Sequence, residues 1–323
     1  MSQRRICISV ATRNRPNMLC KLFASLAVIV KPANADVSFL VVENNASPTL
    51  EQTIANFRVQ MPETQIDYVV EGVLGISSAR NRALDHAIEQ GYDYLVYVDD
   101  DEFVDAEWLV KLLAERDRLD LDILGSPVRP IPFDEKLTIL QKLVWSGIER
   151  SGYKSEQKCR RKCESGRGDS IKVATGSWMG KLDFFRRTGL RFDSHFGLTG
   201  GEDWNLWATA KSLGAKTGWA CDAIVYETVP SSRLTLSYHY RRNRDHNITE
   251  FGARYRENPS KTLKKLPLKI AGRALKFVGT SLSIPFRGGQ GIVSSATALG
   301  GLVGLLQGCF GKNSMHYANT TGH

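Results

Sequence analysis

Apolar and polar positions run in two rhythms over the first half of the chain. Short apolar runs at Ile6 to Ala11, Val37 to Glu43, Ile66 to Glu71 and Tyr94 to Val98 have the length of buried strands. Between them lie stretches with helical spacing. One follows the turn Thr12-Arg13-Asn14-Arg15-Pro16 and ends near Val28. A second runs from Ser47-Pro48, which reads as an N-cap with proline at the first helical position, to Gln60. A third, after a Gly72–Gly75 loop, runs from Ser77 to Gln90. Asp105 reads as the cap of a helix bearing Trp108, Leu109, Leu112 and Leu113.

Strand-helix alternation predicts an α/β fold, a mostly parallel central sheet with helices on both faces. Ligands of such sheets bind beyond the carboxyl ends of the strands. The polar clusters fall there: Thr12, Glu43-Asn44-Asn45, the glycine loop and the acidic run Asp99-Asp100-Asp101-Glu102. No GxGxxG follows the first strand and no Walker lysine motif is present, which removes weight from two common nucleotide folds.

Residues 146–172 have little periodicity and are rich in Lys, Arg, Ser and Gly; they read as a mobile surface loop. Globular composition returns over 173–232. The pattern therefore predicts a catalytic domain over 1–232 and a helical, basic and apolar segment over 233–323.

Charge sharpens that division. The 323-residue chain carries a net charge of +9. Of its 43 Lys and Arg, eight lie beyond Glu257, where no Asp or Glu occurs, which leaves 35 basic against 34 acidic residues before it. A basic tail beside an uncharged stretch suits an anionic membrane surface rather than nucleic acid. Around Pro267, which reads as a helix start, the apolar residues Leu266, Ile270, Ala274 and Phe277 run beside a stripe of Lys265, Lys269, Arg273 and Lys276, as in an interfacial helix. Gly288 to Gly311 is free of charge and long enough to span a bilayer. Its Gly, Ser and Thr content favours a re-entrant or interfacial hairpin, and packing against the catalytic domain is the alternative. The N-terminal Met-Ser-Gln-Arg-Arg has no apolar signal region, so the expected place is the cytoplasmic face of the inner membrane. The six cysteines are scattered; Cys159 and Cys163 alone are close, and free thiols are the expectation.

The acidic run is the strongest chemical signal. Three successive carboxylates at a strand end repel one another unless a cation neutralises them. On an extended chain Asp99 and Asp101 point the same way and Asp100 the other. Hard carboxylate oxygens suit Mg²⁺ or Mn²⁺ bound jointly with a diphosphate.

Five motifs then stand in a fixed order: Thr12-Arg13-Asn14-Arg15-Pro16, Val42-Glu43-Asn44, Ala79-Arg80-Asn81, Val98-Asp99-Asp100-Asp101-Glu102 and Gly201-Glu202-Asp203. Their order and spacing resemble family 2 glycosyltransferases, most of all the bacterial ExoM-type exopolysaccharide glucosyltransferases, over about residues 4–230. The resemblance implies a GT-A fold, an inverting transfer from a nucleotide-sugar such as a UDP-sugar, and a polyprenyl-diphosphate-linked glycan as acceptor. It implies that Thr12 and Glu43 line the uridine and ribose pocket, with Arg80 and Asn81 near the base or diphosphate. Asp99 would contact the nucleotide and Asp101 the metal, with Arg15, Asp100, Gly176 and Ser177 grouped in the same nucleotide-sugar site. Asp203, in Leu198-Thr199-Gly200-Gly201-Glu202-Asp203-Trp204, is the implied base, with Glu202 orienting the acceptor or the base. A helix-capping role for Asp203 is the plainer alternative. Trp204 and Trp178 offer aromatic faces to an acceptor sugar, or serve as core.

Two features depart from related sequences or qualify the reading. Where relatives often carry Val-His-Glu, this chain has Val225-Tyr226-Glu227. No QxxRW segment is present, which favours addition of a single sugar. The cluster Arg241-Arg242-Asn243-Arg244 reads either as a clamp over a diphosphate or as an exposed helix face. A sugar nucleotidyltransferase and a non-catalytic membrane scaffold are the competing functions.

Overall fold

The computed structural model describes residues 3–134, 136–196 and 200–312. Its elements alternate as the sequence pattern predicts. The first half contains β1 (Arg4–Thr12), α1 (Pro16–Leu26), β2 (Ala35–Glu43), α2 (Glu51–Gln60), β3 (Ile66–Val70), α3 (Ile76–Glu89) and β4 (Tyr94–Asp99). There follow β5 (Glu102–Val104), α4 (Trp108–Leu119), β6 (Ile123–Gly125), β7 (Val128–Pro132) and the long α5 (Ile139–Glu164). Then come β8 (Ser177–Lys181), α6 (Leu182–Thr188), α7 (Glu202–Ser212), β9 (Thr217–Trp219) and β10 (Val225–Val229). The remainder is helical: α8 (Leu236–Glu257), α9 (Pro259–Lys264), α10 (Leu266–Leu282), α11 (Ile284–Arg287) and α12 (Gly289–Cys309).

The chain forms two compact units, and it passes between them after Arg129, after Ser155 and after Glu227. The second unit takes residues from the middle of the sequence as well as from its C-terminal part, which no simple cut near residue 232 describes.

The first unit is built on a seven-stranded sheet of order β3-β2-β1-β4-β8-β6-β9. β1 pairs in parallel with both β2 and β4, and β2 with β3. β8 runs antiparallel between β4 and β6. Alternation along β1 explains the layering. Ile6, Ile8 and Val10 join one core with α1, α2 and α4, whereas Cys7 joins a second core with α3, α6 and α7. Both faces of the sheet are thus covered, and β1 and β4, bonded on both edges, end side by side at Thr12 and Asp99. A smaller sheet of order β5-β10-β7 starts just past that end.

Two local expectations are corrected. Residues 146–172 are largely helix, within α5 and a 3-10 turn at Gly168–Ser170. Among the residues of α5 only Val144 and Gly147 are buried, so apolar periodicity is faint, while its Glu, Gln, Lys and Arg are good helix formers. Likewise Ser47 and Pro48 do not open α2, which begins at Glu51. Thr49 is held by the Glu43 carboxylate, and the chain turns helical only after that tether. Asp105 receives the backbone N–H of Trp108 on its carbonyl, with no side-chain cap on α4.

In the second unit, α12 is one unbroken helix in place of the expected hairpin. It is long and apolar enough to cross a membrane, and 39% of its apolar window is buried within the protein. Gly300 and Gly304 lie against the backbone carbonyls of Tyr240 and Arg244 on α8, so glycine is what allows the two helices to approach. Leu266, Ile270, Ala274 and Phe277 of α10 are half-buried where α10 packs on its neighbours. The apolar side chains that α10 turns outward are Leu268, Leu275, Val278 and Leu282, followed by Phe286 on α11.

Candidate active site

Four segments of the first unit meet at the carboxyl ends of β1 and β4. Arg80, on the first turns of α3, is buried and bridges two of them. Its guanidinium donates to Asp99 Oδ1 at 3.0 Å and to Glu202 Oε1 at the start of α7. The Tyr97 hydroxyl, deep in the core beside Trp178 and Phe192, donates to the Arg80 carbonyl at 2.5 Å and fixes this turn of the helix. Burial alone would lower the Arg80 pKa, but Asp99 and Glu202 outweigh it and hold the cation firmly charged.

The acidic run does not stay extended. Asp99 ends β4, Asp100 and Asp101 form a turn, and Glu102 starts β5. The alternation of an extended strand therefore does not set where Asp99 and Asp101 point. Asp99 is drawn to Arg80, while Asp100 accepts from Thr12 at 2.7 Å and from Arg15 at 3.0 Å. Asp101 lies 3.4 Å from the same Arg15 nitrogen. Burial raises the pKa of Asp100 against the lowering effect of Arg15. Glu102 accepts the Asp99 N–H at 2.8 Å, and burial together with Asp99, Asp101 and Glu227 raises its pKa well above the usual range. On the neighbouring strand β10, Glu227 stands opposite Glu102, and Tyr226 stacks on Phe103 with ring centres 5.0 Å apart.

Gly176 closes this corner from the segment before β8. A Cβ there would meet Glu102 Oε1 at 2.5 Å and Asp99 Oδ2 at 3.4 Å, so a side chain would occupy the space before the carboxylates. Among the described residues no three His, Cys, Asp or Glu side chains converge as a complete metal cage. The donor set fits a hard dication that takes its other ligands from a diphosphate: carboxylate oxygens, with the Asp99 side chain 39% exposed and a glycine leaving room.

At the start of α7, Gly201 has φ 97°, a left-handed conformation that suits glycine, and brings Glu202 and Asp203 into the first turn. Glu202 is buried, its pKa raised by burial against the pull of Arg80, and its Oε2 has no partner among the described residues. Asp203 is half-buried and accepts the Trp204 N–H at 2.6 Å. It sits inside the helix rather than at the N-cap, which is Gly201. Trp204 is 44% exposed, with the Lys172 ammonium 5.0 Å from its ring centre. Leu198 and Thr199, singled out in the same turn, lie outside the described residues.

Several residues assigned to ligands by sequence are occupied by the protein itself. Glu43 is wholly buried, and its carboxylate accepts from Asn45, Thr49 N–H, the Thr49 hydroxyl and the Tyr68 hydroxyl. These donors use the four lone-pair positions, leaving none for a uridine or ribose. Burial alone would raise the Glu43 pKa, but the donors outweigh it and hold it below the usual carboxylate value. Asn81 spends its amide on both polar groups of the Phe192 backbone, at 2.8 Å each. Ser177 is buried and bonded to Trp108 Nε1 at 3.0 Å and to Ser126. Trp178 is 2% exposed, tilted on Tyr97 and edge-on to Phe185, and has no face for an acceptor sugar. These four shape the site from behind. Asn44, given no role of its own within its sequence motif, does similar work: its amide holds the carbonyls of Glu71 and Val73 and the N–H of Gly75, ordering the glycine loop. Its place directly after β2 was the available signal.

A model of glycosyl transferase family 2 matches residues 7–179, over half of the chain and containing the β1, β2, α3 and β4 parts of this site. The chain belongs to glycosyl transferase family 2. It is similar to the succinoglycan biosynthesis protein ExoM of Rhizobium meliloti (strain 1021), at 28% identity over 245 residues, 72% of this chain and 70% of that protein. Among solved structures it resembles the mannosyltransferase PcManGT from Pyrobaculum calidifontis in complex with GDP-Man and Mn²⁺. The TM-score is 0.64 at 15% identity, covering 95% of this chain and 88% of that one. The S. aureus TarS 1–349 structure in complex with UDP follows at a TM-score of 0.50 and 15% identity, covering 95% and 92%. At such identities the structural likeness shows the fold alone, which is GT-A. This glycosyltransferase carries the acidic run and the Glu202-Asp203 pair on opposite sides of one buried arginine.

Two expectations follow. Arg80→Met leaves Glu202 buried and Asp99 without a partner, and urea unfolding should show a loss of about 3–5 kcal/mol. A variant as stable as the parent would show that the bridge does not hold the site. Glu43→Gln should cost about 1–3 kcal/mol at neutral pH, because an amide faces donors that a carboxylate satisfied. The Glu43 pKa is lowered on folding, so its contribution is present above the unfolded value of about 4.3 and fades as pH falls through the folded value. Urea midpoints of variant and parent should therefore converge in acid; a constant gap down to pH 3, or about that, would contradict this assignment.

Proposed function

We propose that this enzyme transfers one sugar, glucose or a related hexose, from a UDP-sugar to a polyprenyl-diphosphate-linked oligosaccharide. The setting is exopolysaccharide or other surface-glycan assembly on the cytoplasmic face of the membrane. The observation that carries the reading is the Arg80 bridge, which holds a strand-end carboxylate cluster and the Glu202-Asp203 turn in one place. The similarity to a succinoglycan biosynthesis protein supports the biosynthetic setting. The complexes of fold neighbours with UDP and with GDP-Man and Mn²⁺ support a nucleotide-sugar donor and a dication.

Asp203 acts as the base. It is half-buried and reachable, as a proton acceptor for an incoming hydroxyl must be. As its carboxylate takes the acceptor proton, the hydroxyl oxygen forms a bond to the anomeric carbon from the face opposite the diphosphate. The bond from that carbon to the diphosphate oxygen breaks, the electron pair leaves with the nucleotide, and the configuration inverts. Glu202, anchored by one oxygen on Arg80, has Oε2 left to orient the acceptor hydroxyl. Trp204, exposed next to Asp203, offers its ring to the acceptor sugar. Thr12 and Arg15 hold Asp100 in place and so set the turn on the donor side. Asp99 and Asp101 would hold Mg²⁺ or Mn²⁺, which when bound supplies positive charge for the departing diphosphate. Gly176 leaves the room that the diphosphate needs.

Attachment to an anionic membrane surface is assigned to α10, whose outward leucines run beside Lys269, Arg273 and Lys276. This places enzyme and lipid-linked acceptor on one surface.

Asp203→Asn should lower kcat by about 10²–10⁴ while leaving UDP-sugar binding intact by calorimetry. Asp101→Ala should abolish both transfer and the stabilisation by Mn²⁺ with UDP in a melting assay. Full turnover by Asp203→Asn would remove the proposed base. For the membrane, Leu268→Ser with Leu275→Ser should cut co-sedimentation with anionic vesicles several-fold without lowering the melting temperature. Undiminished sedimentation would place the contact elsewhere.

A further inference from the structure

The second unit contains a cleft of about 430 Å³ between α8, α10 and α12. Its charged lining is Arg254 and Glu250 from α8 with Lys269, Arg273 and Lys276 from α10, and its apolar walls are Phe251 and Leu305. Four cations therefore face one carboxylate. That carboxylate is already shared: Glu250 pairs with Arg254 at 2.5 Å and with Arg273 at 3.7 Å. Lys269 and Lys276 make no ion pair among the described residues.

Gathering four like charges in a cleft raises the energy of the folded chain unless an anion enters. Burial and the nearby Arg254 both push the Lys269 ammonium pKa down, in keeping with a positive charge lacking its counterion. Glu250 pulls the other way, but it is the one carboxylate in the lining and is shared with Arg254 and Arg273, and no Asp or Glu follows Glu257. The cleft is also held in shape. Gly301 of α12 lies against Arg273 and Asn243, and Asn247 at the cleft floor is buried and donates to the Asn243 carbonyl at 2.7 Å. Gly272, on the rim, has open space where a side chain would be.

The geometry points to a phosphate-binding site: the cleft takes a phosphate or diphosphate group, with Lys269, Arg273, Lys276 and Arg254 as its cations and Phe251 and Leu305 against the attached carbon stem. Two guanidinium and two ammonium groups suit the several acceptor oxygens of such a group. The position along α10 favours a lipid head group over a free anion. Leu268 and Leu275 are exposed on the same helix, one position before Lys269 and Lys276, so a phosphate at the level of lipid head groups lies within the reach of the cations. The inference stands on the second unit alone and does not depend on the transferase reading.

The test uses the full chain and two probes. In the first, phosphatidylcholine vesicles carry either phosphatidic acid or oleate at matched surface charge, and co-sedimentation is measured. In the second, pyrophosphate is titrated in calorimetry with EDTA present. Lys269→Gln/Arg273→Gln should lose at least tenfold in affinity for the phosphatidic acid vesicles and lose the preference for them over oleate. Lys264→Gln/Lys265→Gln removes equal charge outside the cleft and should keep that preference. Arg254→Gln/Lys276→Gln repeats the test from both walls, with circular dichroism reporting that each variant is folded. Loss confined to vesicles identifies a lipid head group as the source; loss of pyrophosphate binding with unchanged vesicle binding identifies a free phosphate. Cleft variants that match the parent with both probes, or an outside pair that loses as much as the cleft pair wherever the latter loses, would overturn the site.

Discussion

The active corner of this enzyme depends on one buried cation. Arg80 is taken out of water together with Glu202, and the partly exposed Asp99 completes its set of partners, so the two buried charges are tolerable only because they are paired. The cost of burial is the reason the arrangement is rigid. If Glu202 swung away, both a buried guanidinium and a buried carboxylate would lose their compensation. Three of the seven strands of the sheet, β4, β6 and β8, lie between Arg80 and Glu202, so this single contact makes the fold of the first unit a local constraint on Asp203.

The rest of the donor side is built by the same logic of saturation. Glu43, Asn81 and Ser177 look like ligand contacts because they are polar residues at strand ends and helix starts. Glu43 and Ser177 are buried and Asn81 is half-buried, and each has its side chain held by the protein's own groups. What they leave is a small set of groups with capacity to spare: the exposed side of Asp99, the Glu202 Oε2 atom and the half-buried Asp203. In the proposed mechanism these are the groups that meet ligands, because the neighbours have been spent on positioning. Glu102 belongs to the same design, a carboxylate pressed among others of its kind at a point where Gly176 denies the space to a side chain.

In the second unit glycine has a different use. Gly300 and Gly304 allow α12 to rest on the backbone of α8, so an apolar helix is partly consumed by intramolecular packing. The outward apolar surface then falls to α10, through Leu268, Leu275 and Leu282. Its basic side chains, displaced to one flank, line the cleft.

Sequence alone determined the layered α/β fold, the order of the first strands and helices, and the five motifs, because alternation of apolar residues and local turn chemistry are properties of neighbouring positions. It also determined that the acidic run would stand at the end of β4, since a strand of Tyr94 to Val98 presents there whatever follows it. Tertiary structure alone decided how those carboxylates divide between Arg80 and Arg15, since the partners lie far along the chain. It decided that Trp178 is core and Trp204 is surface, a difference that two tryptophans near glycines do not reveal by themselves. It decided too that the outward face of α10 is the leucine row and not Leu266, Ile270, Ala274 and Phe277. An amphipathic pattern fixes the faces of a helix, but only the neighbour that packs against it chooses which face is hidden.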